Sequence, residues 1–111
     1  MKKVYSVLAP LASLKEQEKY MINATKDEYL VAEELLDSAI NLFFEQKAIK
    51  FEPSENLEAL KQAIKNCEIP DNLTPQQLVH EFEPWVEVRK KSCLYVQELG
   101  FNLEEYENNE L

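Results

Sequence analysis

Apolar residues recur at spacings of three and four along most of this chain, and the runs are punctuated by proline, asparagine and capping residues rather than by glycine. The longest such run free of proline and glycine that carries a start signal is 25–47, TKDEYLVAEELLDSAINLFFEQK. Thr25 followed three residues on by Glu28 makes a capping box. Asp27 and Glu28 fall in the first turn and Lys47 in the last, as the helix dipole favours. Tyr29, Ala32, Leu36, Ile40, Phe43 and Phe44 form one stripe, and Leu35, Ala39 and Leu42 widen it. The pattern predicts a helix of about 22 residues, ~33 Å long. Its broad apolar face requires neighbours on more than one side. It is expected to be the central helix of an all-α, antiparallel bundle of four to five helices.

Residues 1–9 alternate weakly and read as either an extended arm or the first turn of a helix. Pro10 suits the first turn of a helix through LASLKEQEKYMI, with Leu11, Leu14, Tyr20 and Met21 inward. Ser54 is the N-cap of a helix whose Leu57, Leu60, Ala63 or Ile64, and Cys67 recur on one side. Thr74-Pro75-Gln76-Gln77 opens the next, with Gln77 as capping-box partner. Pro84 removes a helical hydrogen bond and clashes with the preceding turn. The helix is therefore expected to break there, or kink sharply, before resuming from Trp85 through Val86 or Val88, then Cys93, Val96 and Leu99. Gly100 is the expected C-terminal stop, with Phe101 folding back on the last turn. Asn102 caps a further turn, and 102–111 reads as an acidic, partly mobile tail. Leu36, Ile40, Phe43, Leu60, Ile64, Phe82 and Leu99 are the expected core. The whole chain, 1–111, reads as one helical domain.

Composition narrows the chemistry. A single glycine, Gly100, argues against phosphate-cradling loops and dinucleotide-binding turns. With 21 Asp and Glu against 12 Lys and Arg, the net charge of −9 disfavours direct nucleic-acid binding and anionic membranes. It permits a basic protein partner, or simply keeps a small protein dispersed. No apolar run is long enough to span a bilayer. The N-terminus imitates a signal peptide poorly, since Pro10 interrupts its apolar run. A cytoplasmic location, with Cys67 and Cys93 as buried thiols rather than a disulfide, is the expectation.

Three constellations invite a chemical reading. His80 has Glu81 and Glu83 close by, but the position that a second zinc-binding histidine would take in an HExxH site is Pro84. An ordinary surface histidine is the simpler account. Arg89-Lys90-Lys91 is the one basic cluster. It lacks the histidine, four to six residues on, that a HEPN-type ribonuclease would use. Glu33, Glu34 and Asp37 form EExxD, which resembles half of the carboxylate motif of MazG-type all-α nucleotide pyrophosphohydrolases. That resemblance implies a magnesium-dependent hydrolase. The preceding helix, however, offers Glu16 and Glu18, spaced by two, with Lys19 where the second Glu of ExxE would stand.

The favoured reading is a small acidic regulatory, inhibitory or adaptor protein without catalysis, cofactor or metal. It binds a protein, either a basic partner or a second copy of itself. Its expected contact surface comprises Glu81, Glu83, Glu87, Glu104, Glu105 and Glu107 around Trp85, because an exposed Trp at a helix break is a typical interface anchor. A Trp in the core is the competing expectation. The carboxylate-dependent hydrolase is the alternative function.

Overall fold

The structure is a computed structural model that describes residues 2–110. Residues 1 and 111, the outermost positions of the expected arm and tail, lie outside them. The protein is all-α, and no strand forms among the described residues. The helices are α1 (Lys2–Ala12), α2 (Leu14–Gln17), α3 (Ala32–Ile40), α4 (Glu55–Asn66), α5 (Glu83–Glu98) and α6 (Leu103–Glu110). Wide π-helical turns follow α2 at Glu18–Ile22 and α3 at Asn41–Glu45, and a third stands alone at Gln77–Glu81. These are seven helical segments among the described residues, against an expected four to five, because the chain breaks at Ser13 and at Phe82.

The N-terminal arm proves to be a helix. Val4, Leu8 and Leu11, at spacings of four and three, are all buried. Pro10 sits in the last turn of α1 rather than the first turn of α2, where it has no N–H to offer the Ser6 carbonyl. Ser13 then caps α2, its hydroxyl accepting from the Glu16 N–H at 3.0 Å. Of the inward residues expected here, Leu11 and Met21 are buried, Tyr20 is half-buried and Leu14 is exposed.

The 25–47 helix starts seven residues late, at Ala32. The Thr25 cap does form: the Glu28 N–H donates to Thr25 Oγ1 at 3.0 Å and the Thr25 N–H to the Glu28 carbonyl at 3.2 Å. No helix follows, because Leu30 is drawn the other way. Its N–H donates to the Tyr20 carbonyl at 2.9 Å, which ties the loop across the end of the preceding turn. A cap is worth about 1 kcal/mol, no more than such competing contacts, and tertiary packing decides. Tyr29, expected in the stripe, is 62% exposed.

The other local signals are realised. Ser54 Oγ accepts from the Leu57 N–H at 3.0 Å. Thr74 and Gln77 exchange side-chain-to-backbone bonds at 3.0 and 3.1 Å, a complete capping box. Phe82 is extended, so the chain breaks before Pro84, which occupies the first turn of α5. Gly100 takes φ +88°, and the Phe101 N–H reaches the Val96 carbonyl at 2.9 Å while Gly100 N–H reaches that of Gln97 at 3.0 Å. This is a Schellman stop. The expected mobile tail is α6, capped by Asn102 through the Glu105 N–H at 2.9 Å.

A helix usually stops with a left-handed residue, which glycine supplies without strain, and only Gly100 is available. Three of the other ends are wide, closing with Asn23→Glu18, Gln46→Asn41 and Phe82→Gln77 backbone bonds of 3.0, 2.9 and 2.8 Å, whereas α4 closes with a tight Cys67→Ile64 bond of 3.2 Å.

The centre of the molecule is α5, which packs on α1 and α4, and not the helix in 25–47. Trp85, Val88, Tyr95 and Val96 are buried along it. Leu36, Leu60 and Ile64 are core as expected. Ile40, Phe43, Phe82 and Leu99 are half-buried and pack against the core.

Candidate functional site

The expected acidic surface does not assemble around Trp85. The indole is 0% exposed, and its Nε1–H donates to Gln17 Oε1 at 3.0 Å. Trp85 follows a chain break but is turned into the core by the first turn of α5, so it is not an interface anchor. The carboxylates around it divide between faces. Glu83 and Glu87 flank a shallow recess with Ala63 and Asn66 of α4, and Glu87 pairs with Lys91 at 3.4 Å. Glu107 lies on the α1 side, where it accepts a short hydrogen bond from the Ser13 hydroxyl. Glu81, Glu104 and Glu105 are exposed.

Glu33, Glu34 and Asp37 are exposed on α3. Only Glu33 reaches the rim of a recess of about 260 Å³ between α3 and the 69–75 loop, where Asp71 is the other carboxylate. Among the described residues, no three His, Cys, Asp or Glu side chains converge as metal ligands would. His80 Nε2 lies 3.2 Å from Glu18 Oε2 at the surface, joining two π turns.

What lies behind Trp85 is a buried polar hub that the sequence does not announce. Gln17 is fully buried, although KEQEK reads as a solvated stretch. Its Nε2 donates to the Pro10 and Leu11 carbonyls, both at 2.9 Å, satisfying the end of α1. Its Oε1 accepts from Trp85 and from Arg89 Nη1 at 3.0 Å. Arg89 also donates to the Val79 carbonyl at 2.8 Å. Burial pushes the Arg89 pKa down, opposed by the charges of Cys93 and Glu18.

Directly outside this hub is an open groove of about 400 Å³ lined by Ala12, Leu14, Arg89, Lys90, Cys93 and Leu94. With Arg89 drawn inward, its walls are largely apolar. Four large apolar side chains are exposed among the described residues: Leu14, Tyr29, Phe44 and Leu94. Two of them, Leu14 at 38% and Leu94 at 45% exposure, meet here. Lys90 and Lys15 are exposed beside them. The Cys93 thiol forms part of the floor and donates to the Ala12 carbonyl at 3.1 Å. Burial, and then Glu107, push its pKa up, against the pull of Arg89. A protonated, hydrogen-bonded thiol is a poor nucleophile.

Sequence reading placed Leu14 in the core and gave Leu94 no role. The available signal was Leu94 standing among Lys90, Lys91, Gln97 and Glu98 on the outward stripe of α5. No protein-family profile, curated protein or solved structure matches the chain.

Proposed function

We infer that this is a protein-binding protein of regulatory or adaptor type, and that its contact surface is the Leu14–Leu94 groove rather than the acidic surface around Trp85. The observation that carries the reading is that two of the four exposed large apolar side chains line one groove. Scattered apolar residues are ordinary on a surface, but neighbouring ones mark contact sites. Fully burying a leucine gains roughly 1.5–3 kcal/mol, which two half-exposed leucines hold in reserve for a partner. Nothing in the groove is arranged to activate water or a substrate. The surrounding negative charge governs which partners approach and how fast.

The test uses the tagged chain as bait in extract of its native cells, beside a Leu94→Glu variant with an unchanged far-UV circular dichroism spectrum. The expected result is an identified protein, or an untagged copy of the chain, that reconstitutes with purified wild type. Its binding should be at least ten-fold weaker to Leu94→Glu. A partner that binds both chains equally, or no partner, contradicts the reading.

A further inference from the structure

We propose that the Leu94 face receives a second copy of this chain, with the two α5 helices crossing antiparallel at Leu94 about a two-fold axis. The inference rests on the reading of this groove as a protein contact and names its occupant. The order of charges on the outward stripe of α5 points to this arrangement. Lys90 lies four residues before Leu94 and Glu98 four residues after it, and both are exposed. Each is about one turn, ~6 Å, from Leu94 and on the same face.

A two-fold interface must be complementary to itself, because the same patch is used twice. Antiparallel pairing through Leu94 sets each residue against the one equally far on the other side. Lys90 then meets Glu98 of the partner subunit, and Glu98 meets Lys90 of the partner subunit. Lys91 meets an uncharged residue, Gln97 of the partner subunit. Parallel pairing would set Lys90 against Lys90 and Glu98 against Glu98. The apolar centre fits the same arrangement: Leu14 stands across the groove from Leu94, so Leu94 of the partner subunit has an apolar seat. Asn56 Nδ2 of α4 donates to Glu98 Oε1 at 3.0 Å, so Glu98 stands on the α4 flank of the outward stripe, while Lys90 stands on the groove side. A carboxylate has lone pairs for further donors.

Two chains of −9 repel one another, and the patch is small, so the association belongs at the weak end of protein interfaces. It should be populated at roughly 10–500 µM protein. Sedimentation equilibrium over that range, near physiological salt, is the measurement. The weight-average mass of wild type should climb from 13.0 kDa toward twice that value. Lys90→Glu and Glu98→Lys each place like charges against one another twice and should each weaken association at least ten-fold. Glu98→Lys makes the chain less acidic by two charges, so net repulsion alone would strengthen its dimer. An equimolar mixture of the two variants restores both opposite-charge pairs. It should associate within about three-fold of wild type, with far-UV circular dichroism confirming that each variant is folded.

A wild type that stays at monomer mass at 500 µM overturns the dimer. So does a mixture no stronger than its components, or an Glu98→Lys variant that associates better than wild type. These outcomes are distinct from failure of the protein-contact reading, which falls only if no partner of any kind depends on Leu94.

Discussion

Gln17 shows how much one residue can be asked to do in a chain this short. Its amide meets two carbonyls at the end of α1 and two donors on α5, joining elements that are far apart in sequence. Gln17→Ala strands those groups in the interior, where each unsatisfied one costs about 1–3 kcal/mol. Such losses do not add fully, and the expected destabilisation in urea is about 3–5 kcal/mol. A loss below ~1 kcal/mol would mean the hub is unimportant. Trp85 reports on the same hub: it should emit at short wavelength and resist acrylamide in wild type. Cys67, buried just past the end of α4, gives a second residue-level expectation. Burial pushes its thiol up from 9.0 to about 11. The unfolded chain then loses this proton first, so the contribution is complete below pH 9 and is lost as pH rises toward 11. The urea midpoint should therefore fall more steeply between pH 8.5 and 10.5 in wild type than in Cys67→Ala. Equal slopes would contradict the burial argument.

Among the elements, those with short-range causes were legible in the sequence. The caps at Ser54, Thr74 and Asn102 and the Gly100 stop all form as read, because each depends on a few adjacent residues. Thr25 carries the same signal and forms the same bond, yet starts no helix, since Leu30 is held by the Tyr20 carbonyl. The two sites therefore make a paired prediction. Ser54→Ala should cost about 1 kcal/mol of stability. Thr25→Ala should cost less than ~0.5 kcal/mol, as an exposed change outside any helix does. Equal losses in chemical denaturation would show that the 25–31 segment behaves as the first turns of a helix after all. The break before Pro84 was legible for the same local reason. That Trp85 turns inward was not, because its direction depends on where α2 places Gln17. The groove was equally hidden. Leu14 looks like a core residue by spacing, and only the packing of α1, α2 and α5 leaves it and Leu94 uncovered together.

At the scale of the whole molecule, α5 organises the fold and also faces outward. Its inner side packs on α1 and α4, and its outer side carries Lys90, Leu94 and Glu98. No helix among the described residues is long and apolar enough to cross a membrane. We read the uncovered leucines as a protein contact, on a chain whose net charge of −9 opposes anionic surfaces. The most direct test is a concentration series of a leucine-methyl-labelled sample followed by NMR, repeated with any identified partner. The methyl signals of Leu14 and Leu94 should shift progressively together as the face is covered. Those of Leu8 and Leu60, both fully buried in the core, should stay in place. Leu14 and Leu94 signals that remain fixed throughout, while other surface groups respond, would contradict the account.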